Sequence, residues 1–256
     1  MYKLICRLGQ WFIDFITKIG YSGVMLFQAI IAKPDFRHFP LVIQQIYNLA
    51  VRSLPIVLIA GFFIGAVLAL QGYQVLIKFK AESFVGTMTA ISVLRELAPV
   101  VTGLLYAGRA GSSLTAEIAL MKSTEQLSSL EMMAVNPLRR IISPRFWASI
   151  ISLPLLTIVF MAMGILASAF VGIDWKEIDV GDFWGSVQSY TTMGDFLHGF
   201  YKSIIFAIFI SWVAVYKGYS SVPNSEGVSK ATTDTVVISS LGILFIDLLI
   251  TIYLFG

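Results

Sequence analysis

The sequence predicts an all-α membrane protein with an N-terminal interfacial amphipathic helix, five transmembrane helices and a short polar helix between the second and third of them. Apolar residues make up 57% of the chain and charged residues only 13%, about half the charged share of a soluble domain. The runs between Arg52 and Lys78 and between Arg145 and Asp174 contain no charge. Each exceeds the roughly 20 residues that a helix needs to cross a bilayer. Because lipid offers the backbone no hydrogen-bond partner, such runs form helices.

Residues 1–38 form the predicted interfacial region. Apolar side chains recur there at helical spacing, and charged side chains take the opposite face, which is typical of a helix that lies in the membrane interface. A surface helix packed on protein is the alternative. Arg7 and Asp14 interrupt any signal-peptide core. The single cysteine, Cys6, excludes an internal disulfide bond.

Five stretches are long and apolar enough to span the membrane. The first contains Gly61 and Gly65, whose small-xxx-small spacing lets two helix backbones approach closely; by itself it is weak evidence for a dimer. The second is longer than a bilayer is thick and is expected to bend near Pro99. The chain is predicted to be one membrane domain, 1–256, with spans at about 53–77, 83–121, 146–172, 198–219 and 235–255.

The basic residues orient these spans. With the N-terminus inside, twelve lysines and arginines fall in inner segments and four in outer segments, which agrees with the positive-inside rule. Five spans then place the C-terminus outside. The inner set is Lys3, Arg7, Lys18, Lys33, Arg37, Arg52, Lys122, Arg139, Arg140, Arg145, Lys217 and Lys230, and the outer set is Lys78, Lys80, Lys176 and Lys202.

The chain lacks the motifs of several enzyme classes. No glycine-rich loop ends in Gly-Lys-Ser/Thr, so no nucleotide phosphate is held in that way. No paired-cysteine or histidine-rich metal pattern occurs, since His38 and His198 lie on opposite predicted sides. No Ser–His–Asp set can be assembled. We therefore expect neither catalysis nor a cofactor in this chain.

Charges inside apolar segments are the strongest candidates for function. Arg95 and Glu96 lie within the second span, and charges at that depth usually face a cavity, a partner charge or water. They either form an ion pair that fixes helix packing or mark a polar spot in a substrate cavity. Arg109, Glu117 and Asp247 allow the same two interpretations, and for Arg109 and Glu117 a packing network is favoured.

One long block resembles the MlaE permease family. It includes Leu-Arg-Glu-Leu-Ala-Pro-Val-Val at 94–101, Ala-Gly-Arg-Ala-Gly-Ser-Ser-Leu-Thr-Ala-Glu-Ile at 107–118, Thr-Glu-Gln-Leu from 124 and Ser-Pro-Arg-Phe-Trp at 143–147. The stretches Val-Leu-Ala-Leu-Gln-Gly-Tyr at 67–73 and Ala-Thr-Thr at 231–233 are similar to the family as well. The resemblance covers nearly the whole chain. Ala98 departs from the expected glycine, which affects only local packing.

The resemblance implies the permease of an ABC transporter in the inner membrane of Gram-negative bacteria. Such a permease is a homodimer that works with a cytoplasmic ABC ATPase, a STAS-domain subunit and a hexameric periplasmic MCE-domain protein. Together they move phospholipids between the inner membrane and a periplasmic carrier and maintain outer-membrane lipid asymmetry. ATP and magnesium would be bound by the ATPase. The polar helix after the second span would be the coupling helix, on the cytoplasmic side.

Two sets of site residues follow from this resemblance. Contacts with the ATPase are expected from Glu125, Glu131, Met132 and Met133, with simple interfacial packing as the alternative for the two methionines. A lipid chamber at the two-fold axis would be lined from one face of the first span, and the charged pair in the second would complete its polar part. The predicted chamber residues are Leu68, Gln71, Val75, Leu76, Phe79, Arg95 and Glu96.

Two other functions are compatible with the charges in the spans. An ion-coupled secondary transporter would use Glu96 and Asp247 as relays and would need no ATPase. A non-transporting scaffold would only anchor partner proteins. Transport that is insensitive to ATP would favour the first alternative, and bound lipid in a cavity would argue against the second.

Overall fold

The computed structural model describes residues 16–17, 20–25, 27 and 39–255. Over these residues the chain is helical and has no strand, and five helices are long and apolar enough to cross a membrane. The predicted all-α membrane class with five spans is therefore confirmed. We number them span 1 (Pro40–Phe79), span 2 (Glu82–Ser123), span 3 (Leu138–Trp175), span 4 (Met193–Ser220) and span 5 (Ser225–Leu254).

Spans 1 to 3 combine α-helical segments with 3-10 or π segments, whereas spans 4 and 5 are continuous α-helices. The 3-10 segments are Val51–Ser53, Ile77–Phe79 and Glu82–Phe84, and the π segments are Val93–Leu97, Ala107–Gly111, Leu138–Ile142 and Phe170–Trp175. The α-helices over residues 39–255 are α1 (Phe39–Leu49), α2 (Leu54–Leu76), α3 (Val85–Ser92), α4 (Ala98–Tyr106), α5 (Ser112–Ser123), α6 (Gln126–Met132), α7 (Ser143–Ala169), α8 (Val180–Tyr190), α9 (Met193–Ser220) and α10 (Ser225–Phe255).

The predicted interfacial helix falls mainly on residues outside the described ranges. Within 1–38 only residues 16–17, 20–25 and 27 are described, and they are helical. Span 1 begins well before residue 53, because α1 leads into α2 through the 3-10 segment at Val51–Ser53. At 1.5 Å per residue, its 40 residues would measure about 60 Å, so part of it lies beyond the hydrocarbon core.

Span 2 changes its hydrogen-bonding pattern next to the predicted bend. The π segment Val93–Leu97 ends immediately before α4, in which Pro99 is the second residue. Proline cannot donate a backbone hydrogen bond, and an inserted π turn relieves the resulting mismatch in the helix. This π segment carries Arg95 and Glu96, the charged pair singled out in the sequence.

Spans 1 and 3 pack with their backbones in close contact. A Cβ atom at Gly61 would lie 3.2 Å from the carbonyl oxygen of Phe160, and one at Gly65 would overlap the backbone of Gly164. The small-xxx-small pair therefore serves a contact within the chain. Its spacing gives no support to a dimer.

The core lies among spans 2, 3 and 4, around large buried side chains such as Tyr106, Phe160 and Phe206. Spans 1 and 5 each contribute buried residues to it, such as Val57 and Ile243, but are less buried along their length. In the most apolar windows of these two spans only 28% and 17% of the residues are buried, against 44% to 56% in the other three. Their uncovered faces are apolar and must be covered by lipid or by another protein chain.

Candidate functional site: a charged cluster between spans 2, 4 and 5

A close helix approach positions the charged pair of span 2. A Cβ atom at Gly199 of α9 would overlap the carbonyl oxygen of Leu94, so only glycine allows this contact between α9 and the π segment. The side chains that follow Leu94 are thereby brought against α9. Arg95 and Glu96 each reach a different residue of that helix.

Arg95 pairs with Asp195 in the first turn of α9. Nε of the guanidinium donates to the carboxylate oxygen Oδ1, and Nη2 forms an ion pair with the same oxygen. The other oxygen, Oδ2, accepts from the backbone nitrogen of Thr192 at 2.7 Å and from its hydroxyl at 2.9 Å. Asp195 thus also closes the capping box that begins α9. Its side chain is buried, whereas a third of the Arg95 side chain is exposed.

Glu96 pairs with Lys202, two turns further along α9. The Lys202 ammonium donates to Oε2 of Glu96 at 2.6 Å and to the hydroxyl of Thr251 at 2.8 Å. It also lies 2.9 Å from Oδ1 of Asp247, without the alignment of a hydrogen bond. Lys202 is buried, and 38% of the Glu96 side chain is exposed. The ammonium therefore joins spans 2, 4 and 5.

The electrostatics of the cluster follow from this pairing. Asp195 and Lys202 are seven residues apart, or about 10 Å along one face of α9, so the adjacent residues Arg95 and Glu96 diverge to reach them. The buried groups are held in place by their partners, because an unpaired charge at this depth would be very costly. Arg95 and Glu96 keep part of their surface accessible. The cluster thus presents one partly accessible cation and one partly accessible anion, which point toward different partners along α9.

A cavity of about 340 Å³ adjoins the cluster between spans 4 and 5. Lys202 forms part of its wall, together with His198, Tyr201 and Tyr253. The remaining wall is aliphatic. An apolar cavity beside a polar cluster has the chemical character that an amphiphile requires.

The predicted chamber residues of span 1 lie at different depths in the fold. Leu68 packs against the central core. Leu76 packs against a second, apolar group of buried residues at the end of spans 1 and 3. Gln71, Val75 and Phe79 are exposed, Phe79 to 74%. A chamber at a two-fold axis would need a second copy of the chain to close over them, so their assignment stays a prediction.

The predicted coupling residues surround α6, between spans 2 and 3. Leu127 is buried and fixes the helix to the fold, and Glu125 and Glu131 are exposed. Met132 and Met133 are 83% and 64% exposed, respectively. Their contact with an ATPase stays a prediction.

Arg109 and Glu117 make interhelical contacts, in agreement with the packing interpretation. Nη1 of Arg109 donates to the carbonyl oxygen of Asn48 at 2.8 Å and to the hydroxyl of Ser53 at 2.9 Å, which ties span 2 to span 1. Glu117 pairs with Arg145 of span 3 at 3.3 Å.

Two members of the cluster, Asp195 and Lys202, were missed as site residues in the sequence. The predicted fourth span, 198–219, leaves Asp195 outside the helix, and Lys202 is among the predicted outer basic residues, but both are buried in α9. Without Lys202, the predicted distribution is twelve inner basic residues against three outer ones. The Thr192-x-x-Asp195 capping box was the available signal, since it predicts that the helix begins at residue 193.

Comparisons with known proteins match nearly the whole chain to one family. The family model described as "Permease MlaE" matches residues 42–253. The chain is 55% identical to the intermembrane phospholipid transport system permease protein MlaE of Haemophilus influenzae, over 99% of this chain and 98% of that protein. It is 37% identical to a probable ABC transporter permease protein of Rickettsia typhi, over 97% and 96%, and 30% identical to one of Synechocystis, over 92% and 89%.

Proposed function

Because the chain belongs to the MlaE permease family, we propose that it is the permease subunit of an ABC transporter that moves phospholipids between the bacterial inner membrane and a periplasmic carrier, and so maintains outer-membrane lipid asymmetry. The observation that carries this proposal is the 55% identity, over nearly the full length of both chains, to a permease of intermembrane phospholipid transport. The five apolar spans and the charged cluster supply the physical requirements for such a role.

A diacyl lipid needs apolar walls for its tails and polar groups for its head. In a homodimer, the uncovered faces of spans 1 and 5 would enclose a chamber at the two-fold axis, with Gln71, Val75 and Phe79 along its wall. The accessible guanidinium of Arg95 would donate to the lipid phosphate, and the accessible carboxylate of Glu96 would accept from an ethanolamine head group. Both side chains already have partners on α9, so a bound head group would share these partners.

ATP hydrolysis belongs to a separate subunit in this proposal. ATP and magnesium would bind to an ABC ATPase at the cytoplasmic end, where α6 presents Glu125, Glu131, Met132 and Met133. Closure of the ATPase would push on α6 and, through span 2, on the charged cluster. A STAS-domain subunit on the same side and a hexameric MCE-domain protein in the periplasm would complete the system. The N-terminus would be cytoplasmic and the C-terminus periplasmic.

The coupling surface can be tested by substitution. Reversing the charge of Glu125 or Glu131, or replacing Met132 by proline, is expected to reduce the yield of ATPase that copurifies, while membrane insertion stays normal. Lys78→Glu, at an exposed position outside this surface, is the control. Normal copurification of all three variants would move the docking site elsewhere.

The transport function is tested with the chain and its copurified ATPase reconstituted in liposomes. We expect transfer of fluorescent phosphatidylethanolamine to an acceptor protein to require ATP hydrolysis, and the purified chain alone to hydrolyse no ATP. Lipid transfer that does not require ATP but depends on an ion gradient would instead support the ion-coupled alternative, with Glu96 and Asp247 as relays. An absence of transfer, with partners still bound, would support the scaffold.

A further inference from the structure

A second cavity, of about 670 Å³, lies between spans 4 and 5 at the end opposite the charged cluster. One end of its wall is basic and polar and includes Lys217, Lys230 and Ser221; the other end is apolar and includes Phe209, Trp212 and Ile238. Its volume is within the range of small-molecule sites. No step of the proposed transport mechanism uses these residues.

The charges at the basic end do not cancel. Lys217 pairs with Asp234 at 2.8 Å, which leaves the exposed ammonium of Lys230 as the net charge of the wall. The cavity wall also includes Gly227 in the first turn of α10. The N-terminal end of a helix adds positive potential there, which is opposed by the exposed Glu226 of the same turn, outside the wall. An anionic group is therefore favoured at this end.

The depth of the cavity matches the membrane interface. Trp212 and Tyr216, both in the wall, are residue types that favour the level of lipid head groups. Lys217 follows Trp212 by five residues, or about 7 Å along the helix. With Trp212 and Tyr216 at head-group level, the basic end would lie at the level of lipid phosphates, and the apolar end would lie at the level of the first acyl carbons.

The cavity is closed toward the protein and open toward its surroundings. The Phe209 ring lies over Gly242, where a Cβ atom would overlap it, and this contact fills the gap between spans 4 and 5. On another side, the indole nitrogen of Trp212 donates to the carbonyl oxygen of Ser22 at 2.9 Å, so Ser22 forms part of the wall. Ile238 and Val222, 40% and 60% exposed, border the open side.

We infer that this cavity binds an anionic phospholipid of the cytoplasmic leaflet, with its phosphate at Lys230 and one acyl chain along Phe209, Trp212 and Ile238. The inference rests on the orientation given under the proposed function. It adds to that function a lipid site separate from the charged cluster, at the opposite end of spans 4 and 5. The occupant is a lipid because the basic end continues directly into an apolar slot, which a soluble phosphate would not need.

The test uses the full transporter complex in nanodiscs of phosphatidylethanolamine that contain a minor share of phosphatidylglycerol with a diazirine in its acyl chain. After illumination, mass spectrometry locates the cross-linked peptides. We expect labels in the peptides that contain Phe209–Tyr216 and Ala231–Ile238. Lys230→Glu should reduce this labelling by about tenfold, because the change removes one favourable charge and adds an unfavourable one, and Ile238→Trp should reduce it by filling the slot. Lys230→Arg should retain it.

The matched control is Lys78→Glu, the same change at an exposed lysine that lies outside this cavity, near the C-terminal end of span 1. The cavity peptides of this variant should be labelled as strongly as those of the wild type. Wild-type peptides without label, or a Lys230→Glu variant labelled as strongly as Lys78→Glu, would overturn the site. Loss of label on addition of inorganic phosphate would show a soluble-anion site and would overturn the lipid assignment.

The same preparations separate this inference from the proposed function. ATP-driven lipid transfer with unlabelled cavity peptides would refute only the second site. Labelled peptides in a complex that transfers no lipid would support the site and count against the transport proposal.

Discussion

Span 2 carries charged residues in two regions, and their partners differ in kind. Toward one end, Arg95 and Glu96 pair with the side chains of buried Asp195 and Lys202, while their own surfaces stay partly accessible. Toward the other end, Arg109 donates to the carbonyl oxygens of Asn48 and Leu49, at the end of α1. A cation that satisfies the last carbonyls of a helix acts as its C-cap.

This difference separates a candidate binding site from a contact that only stabilises helix packing. In the Arg109 region the guanidinium donates to backbone carbonyl oxygens and to the hydroxyl of Ser53, and none of these groups carries a charge that a ligand could share. In the Arg95–Glu96 region the partner groups are buried charged side chains. The two accessible side chains, Arg95 and Glu96, carry opposite charges. A zwitterionic head group can bind there without a change in the total charge of the cluster. The kind of partner is therefore more informative than the presence of a charge in a span.

The largest effect is expected from Lys202→Met. The change would leave the carboxylates of Glu96 and Asp247 near each other without their shared cation, at a cost of about 3–5 kcal/mol in the free energy of unfolding. Thermal unfolding of the detergent-solubilised chain measures this loss. Adding Glu96→Gln and Asp247→Asn should restore much of the stability, since both stranded charges are then removed. A Lys202→Met chain as stable as the wild type would show that the cluster is solvated.

A smaller loss is expected from Arg109→Ala. It removes hydrogen bonds to Asn48 and Ser53, and unsatisfied partners of this kind cost about 1–3 kcal/mol. Because the Arg109 contact only stabilises helix packing, lipid transfer per folded complex should stay unchanged. A loss of transfer in a chain of full stability would contradict the comparison between the two regions.

The smallest effect is expected from Glu117→Gln. Its ion pair with Arg145 is 3.3 Å long, and 40% of the Glu117 side chain is exposed, so the change in unfolding free energy should stay below about 1 kcal/mol. The same unfolding assay measures it. A loss as large as that of Lys202→Met would mean that Glu117 belongs to a buried network.

The five spans could be predicted from the sequence because hydropathy is a local property that does not depend on the partners of a helix. The partners themselves could not be predicted. Arg95 and Asp195 are 100 residues apart, and Glu96 and Lys202 are 106 apart. In the sequence, Asp195 follows an acidic loop and Lys202 stands near the start of a span, so both were assigned to the outside. Similarly, Gly61 and Gly65 predict a close contact, but only the fold identifies Gly164 as its other side.

The most direct test of the account is the pair of conservative substitutions Glu96→Gln and Arg95→Lys, measured for both stability and transfer of phosphatidylethanolamine in the reconstituted complex. Each retains a hydrogen-bonding side chain and should stay folded with its partners bound. If the accessible pair holds the lipid head group, ATP-driven transfer should fall by about tenfold, equivalent to the loss of one charge-assisted hydrogen bond. Glu82→Gln, the same change at an exposed position at the start of span 2, is the control that should transfer lipid at the wild-type rate. Transfer at the wild-type rate by both stable variants would contradict the account and leave Arg95 and Glu96 as packing residues.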